Sequence, residues 1–160
     1  MKFGFGRPRQ EASADTPVRI GAPLSAHNLF VERAAVKLLI VDDSSAVYGR
    51  LLEMLGGVEH LTALSIARSL REAVEKGRLL RPDAAVLDVH LPDGSGLEAL
   101  SSIKKDSPHT RVYMFTNQIE FRDKARLAGA DGFFDKSLEF EALVERLLDP
   151  DAHACPRVGP

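Results

Sequence analysis

Four apolar residues in succession, Ala84, Ala85, Val86 and Leu87, end on a carboxylate, Asp88. A run this short with no polar alternation is the pattern of a strand buried on both faces, as in a parallel sheet. The chain then changes character. Val89, His90 and Leu91 lead into Pro92-Asp93-Gly94-Ser95-Gly96, a turn-forming cluster, and helical patterning follows from Leu97 to Lys105. An acid at the carboxyl end of a buried parallel strand lies where open α/β sheets build their ligand sites. Beside a Pro/Gly loop, the same aspartate also reads as an ordinary turn residue. Asp88 alone does not decide between the two.

The same unit recurs along the chain. Lys37 to Val41 is a second run, ended by Asp42 and Asp43, and Ser44 is placed to cap a helix carrying Val47, Leu51, Leu52 and Leu55 until Gly56 and Gly57 stop it. Leu61 to Ile66 reads as a strand, and Leu70 to Leu79 as a helix ended near Pro82. Arg111 to Phe115 reads as a fourth strand finishing on Thr116, followed by a helix from Ile119 to Leu127 closed by Gly129. Asp131 to Phe134 reads as a short fifth strand leading to Asp135 and Lys136. Ser137 is placed to cap a last helix whose apolar stripe is Leu138, Ala142, Val144, Leu147 and Leu148. Strand and helix alternate five times. That alternation predicts an α/β fold, a five-stranded parallel sheet with helices on both faces.

The 160 residues have room for one such domain with some chain left over. The expected division is a flexible N-terminal arm over 1–36, rich in Gly, Pro, Ser and charge, a domain over 37–149, and a short tail over 150–160. Phe3 and Phe5 are the large apolar side chains at the start of the arm, and the segment from Leu24 to Ala35 stays ambiguous between a short helix and packing against the first strand. A net charge of -2 makes no case for a nucleic-acid surface, and no recognition stripe for DNA is visible. Cys155, the single cysteine, sits in the Pro-flanked tail and reads as an incidental thiol in a reducing compartment. No apolar run approaches bilayer length, so the expected location is cytoplasmic with no membrane insertion.

In a parallel sheet every strand delivers its carboxyl end to one edge, which gathers Asp42, Asp43, Asp88, Thr116 and Lys136 there. Three converging carboxylates repel one another, and a hard divalent cation with oxygen ligands, Mg2+ above all, relieves that repulsion. A lysine at the same edge attracts an anion, so the set looks built for a metal-bound phosphoryl group. Each residue has a quieter explanation. The acid pair favours the positive end of the following helix, Thr116 suits a turn, and most lysines are solvated charges. Their joint occurrence at four of five strand ends outweighs these separate explanations.

In this arrangement the chain resembles the receiver domain of two-component response regulators. The matching motifs are LLIVDDSS after the first strand, AVLDVHLPDGSGLEAL around Asp88, VYMFTN at Thr116 and GADGFFDKS at Lys136, in order from about Lys37 to Leu148. The fold implied is the (βα)5 flavodoxin-like receiver fold. Asp88 is then the phosphoacceptor, receiving its group from a sensor histidine kinase or a histidine phosphotransfer protein. Mg2+ is held by Asp43, Asp88 and the backbone carbonyl of His90, with Asp42 acting largely through bound water. Lys136 and Thr116 bind the phosphoryl oxygens, and Phe133 is the aromatic that turns inward with Thr116. His90 and Gln118 stand at the two positions that tune phosphoryl lifetime, and Ser137 replaces the proline that often follows the lysine.

The resemblance further implies an output face over helix four, strand five and helix five, roughly residues 118–148, through which dimerisation also becomes available. With 12 residues after Leu148, the expectation is a single-domain regulator, not itself an enzyme, with slow self-dephosphorylation, acting on a target protein of unknown identity. A phosphorelay intermediate or phosphate sink is the alternative, and a non-phosphorylated docking module is weaker given the intact site. A phosphohydrolase with an aspartyl nucleophile fits less well, because Ser44 stands where a second acid is needed two positions after Asp42. No Gly-rich phosphate loop ending in Lys-Ser/Thr is present.

Overall fold

The structure is a computed structural model that describes residues 36–56 and 61–149. The expected arm, apart from Val36, and the tail with Cys155 lie outside the described residues, as does Gly57. Five strands and five helices alternate: β1 Val36–Val41, α1 Ser45–Leu55, β2 Leu61–Ala67, α2 Leu70–Leu80, β3 Ala84–Leu87, α3 Gly96–Asp106, β4 Arg111–Thr116, α4 Arg122–Leu127, β5 Gly132–Asp135 and α5 Phe140–Leu148. The sheet order is β2-β1-β3-β4-β5 with every neighbouring pair parallel. This is the predicted flavodoxin-like architecture.

Alternation along each strand sorts the core into two layers. Leu39 and Val41 of β1, Ala85 and Leu87 of β3, and Val112 and Met114 of β4 pack with Ala73 of α2, Leu100 and Ile103 of α3 and Ala125 of α4. The residues between them, Leu38, Ile40, Ala84, Val86, Tyr113 and Phe115, face Leu51 and Leu55 of α1 and Phe140, Leu143 and Leu147 of α5. Both faces of the central strands are therefore dry, which is why their sequences read as continuous apolar runs. Phe115 meets Phe140 edge-on at 5.0 Å between ring centroids. Each fully buried side chain of this size contributes about 1.5–3 kcal/mol.

Two element ends differ from the sequence reading. Ser137 does not cap the last helix, which begins at Phe140 after Glu139, and Leu138 is 81% exposed instead of joining the apolar stripe. The segment forms a turn instead, with Lys136 pinned at the sheet edge and the Ser137 N–H donating to Asp135 Oδ1 at 2.7 Å, a local arrangement that competes with helix initiation. The fourth helix is also shorter than expected. Ile119–Phe121 forms a 3-10 turn before α4, leaving Ile119 and Leu127 exposed. Ser44 occupies the N-cap position of α1 without a side-chain cap bond. Its N–H donates instead to Asp42 Oδ1 at 2.9 Å.

Candidate functional site

Strand register brings the predicted acids together. Val41 pairs with Leu87 across β1 and β3, so Asp42 and Asp88 leave the sheet side by side, with the Asp88 N–H donating to Val41 O at 2.9 Å. The strand order reverses between these two strands, which opens a crevice at their carboxyl ends. Asp42 is 2% exposed and Asp88 9% exposed, whereas Asp43 next to them is open to solvent. One carboxylate oxygen from each of the three lies within 4.8 Å of the others.

Lys136 crosses to this cluster from the end of β5. Its Nζ stands 2.6 Å from Asp42 Oδ2 and 2.7 Å from Asp88 Oδ2, bridging the two buried acids. Burial works against both kinds of charge here. It pushes the Asp42 carboxyl above its ordinary value despite the bonds from Lys136 and Ser44. For Lys136, burial disfavours the ammonium, but the two carboxylates outweigh it and raise its pKa. The lysine is thus a fixed cation at neutral pH.

Three carboxyl groups thus converge on one ammonium. The donors are all oxygen and one side is open to water, a fit for Mg2+, which keeps part of its hydration shell. Receiver domains bind this ion at such an acidic cluster, and Asp42, Asp43 and Asp88 supply it here.

The other predicted residues lie on β4, on β5 and in the loops that follow β3 and β4. Thr116, 1% exposed, ends β4, and its Oγ1 accepts the Gln118 N–H at 3.3 Å. The Lys136 N–H donates to Thr116 O at 3.3 Å, joining the two strand ends. His90 is exposed on a two-residue ribbon, pairing with Ser95. Phe133 is half-buried against the α2–α3 layer, with the Arg122 guanidinium 4.9 Å from its ring centroid.

Two residues of the acceptor loop did more than the sequence reading assigned them. A Cβ on Gly96 would lie 1.8 Å from Asp88 O, so only glycine lets α3 begin this close to the acceptor backbone. Asp93 accepts the N–H groups of Leu70 at 2.6 Å and Arg71 at 3.0 Å, anchoring the loop on the first turn of α2. Those bonds hold the Asp93 carboxyl below its ordinary value. The glycine was visible as one of several turn residues, but nothing local marked it as the one in contact.

Comparison with known proteins follows the same residues. The chain is 35% identical over 119 residues to the DNA-binding transcriptional activator DevR/DosR of Mycobacterium tuberculosis, covering 73% of this chain and 55% of that protein. It is 37% identical over 109 residues to a protein-glutamate methylesterase/protein-glutamine glutaminase of Vibrio parahaemolyticus, covering 66% of this chain and 29% of that protein. The chain thus spans about half or less of the length of these curated relatives. Among solved structures, a response regulator receiver domain protein (CheY-like) from Methanospirillum hungatei aligns with a TM-score of 0.67 at 26% identity, over 75% of this chain and 97% of that one. No helix among the described residues is long and apolar enough to cross a membrane. Residues 38–148 match the response regulator receiver domain family, and because that match runs from within β1 to the end of α5, the chain belongs to this family of two-component signalling proteins.

Proposed function

We propose that Asp88 accepts a phosphoryl group from a phosphohistidine on a sensor histidine kinase or a histidine phosphotransfer protein, and that the phosphorylated chain signals in the cytoplasm by contacting a target protein. The observation that carries this reading is the buried Asp88 carboxylate with the Lys136 ammonium 2.7 Å from it inside a three-acid cluster. An Asp88 oxygen attacks phosphorus as the phosphorus–nitrogen bond of the donor breaks, and the imidazole leaves with the bonding pair. The product is an acyl phosphate. Asp43, Asp88 and the His90 carbonyl would hold Mg2+, with Asp42 acting largely through bound water, and the ion would supply neutralisation of the charge on the transferred group.

The chain's own residues do the rest. Lys136 is already charged and close, so it pairs with the incoming phosphoryl oxygens without first gaining a proton. The Thr116 hydroxyl, whose oxygen accepts the Gln118 N–H, turns its O–H to donate to a phosphoryl oxygen, and Phe133 follows inward. His90 and Gln118 flank the acyl phosphate and set the access of water to it. The new surface is read over residues 118–148, where Ile119, Leu127 and Leu138 are exposed apolar side chains available to a target or a second copy.

The test is transfer from a phosphorylated histidine kinase or phosphotransfer protein. Wild type should gain the label and Asp88→Asn should not. Lys136→Ala should retain some labelling while losing phosphorylation-dependent partner binding. Full labelling of Asp88→Asn refutes the acceptor assignment.

A further inference from the structure

Asn117 directly follows Thr116, and Ser137 directly follows Lys136. The two are hydrogen-bonded to each other, with Ser137 Oγ donating to Asn117 Oδ1 at 3.0 Å. Beneath them the Lys136 N–H donates to Thr116 O at 3.3 Å, so the β4–α4 and β5–α5 loops are tied twice, once through backbone and once through side chains. Ser137 is held on its own side as well, since its N–H donates to Asp135 Oδ1 at 2.7 Å. Asp135 is fixed in turn, its N–H donating to Glu139 Oε2 at 2.8 Å and its carbonyl accepting the Glu139 N–H at 2.8 Å. A proline at position 137 has neither the N–H nor the hydroxyl that these bonds use.

We propose that Asn117 and Ser137 form a latch that holds the Thr116 loop and the Lys136 loop in register, making both positioning residues for phosphoryl transfer to Asp88. The inference rests on the phosphoacceptor reading given above. Thr116 and Lys136 come from different strands and must reach the same phosphoryl group, and two loops moving independently lose more freedom when that group binds than two loops already joined. The latch is exposed, so water competes for it and it is weak enough to be remade as Thr116 moves.

The experiment is the initial rate of Asp88 labelling by acetyl phosphate at saturating Mg2+ in wild type, Ser137→Ala, Asn117→Ala, the double variant and Ser137→Thr. Each single truncation should slow labelling about threefold, the scale of one exposed hydrogen bond. The double variant should be no slower than the singles, and Ser137→Thr, which keeps the hydroxyl, should restore the wild-type rate. Amide hydrogen exchange at Lys136 without any phosphoryl donor reads the same latch directly and should quicken in both single variants. Rates that multiply in the double variant, or wild-type labelling and exchange in both singles, overturn the latch while leaving Asp88 as acceptor. A wild type labelled neither by acetyl phosphate nor by a phosphorylated histidine kinase overturns the acceptor reading and the positioning role with it.

Discussion

Both ends of the parallel sheet carry aspartates and a lysine, and the two ends treat them in opposite ways. At the amino-terminal end, Asp131 Oδ2 accepts from Lys104 Nζ at 2.6 Å and from the Val112 N–H at 2.8 Å, while Oδ1 accepts from Arg111 at 3.1 Å. Asp83 Oδ2 accepts the Lys37 N–H at 2.8 Å, and buried Thr110 donates to Pro82 O at 2.6 Å. Burial alone would raise the Asp131 carboxyl, but these bonds outweigh it and hold the group below its ordinary value. At the carboxyl-terminal end, burial prevails over the bonds to Asp42 and raises it, and two of the three clustered acids share one lysine. One end is saturated and adds to stability. The other gathers carboxyl groups with fewer partners than they can take, which suits a cation, beside a lysine, which suits a phosphoryl group.

The largest effect should come from the backbone of the site end. Gly96→Ala places a Cβ against Asp88 O at 1.8 Å, which forces α3 away from the acceptor, and it should cost about 3 kcal/mol or more in urea unfolding. A loss under about 1 kcal/mol would mean that this loop yields easily and that the site end is soft in backbone as well as short of partners for its carboxyl groups.

Asp131→Asn probes the saturated end. Unfolding free energy at neutral pH should fall by about 2 kcal/mol, because two cations lose their shared partner, and labelling of Asp88 should be unaffected. The sign of the pH dependence follows from the lowered carboxyl. Its contribution is complete above the ordinary value of 3.8 and is lost as pH falls through the folded-state value below it. The stability gap between wild type and Asp131→Asn should therefore close in acid. A gap independent of pH would contradict the assignment.

Asp42→Asn should act in the opposite direction at the other end. Removing one of three clustered acids in the absence of Mg2+ should raise stability by about 1 kcal/mol, as relief of functional-site repulsion commonly does. Mg2+ affinity, followed by titration, should drop about tenfold. Equal destabilisation by Asp42→Asn and Asp131→Asn would erase the contrast. The smallest effect belongs to Arg78→Ala, which breaks a solvent-exposed pair with Asp106 at 2.8 Å and should cost about 0.5 kcal/mol or less. That variant separates burial from mere ion pairing as the source of the difference between the ends.

The fold and the centre of the site were legible in the sequence for one reason. Strands buried on both faces are continuous apolar runs, and the residue after each run falls on the same edge whatever the details of the loops. Asp42, Asp43, Asp88 and Lys136 could therefore be named from position alone. Asp131 could not, because its three donors come from α3 and β4 and no local pattern marks them. Gly96 shared its segment with Gly94 and Ser95, and only the approach of Asp88 O distinguishes it. Ser137 misled for the opposite reason, as its local preference for a helix start gives way to the tie that Lys136 makes with two remote acids.

The most direct measurement of the central claim is intact mass after incubation with Mg2+ and acetyl phosphate, on wild type and Asp88→Asn in parallel. The account predicts one phosphoryl adduct on wild type, removed by hydroxylamine as an acyl phosphate should be, and none on Asp88→Asn. An equal adduct on both proteins, or one that resists hydroxylamine, would contradict it.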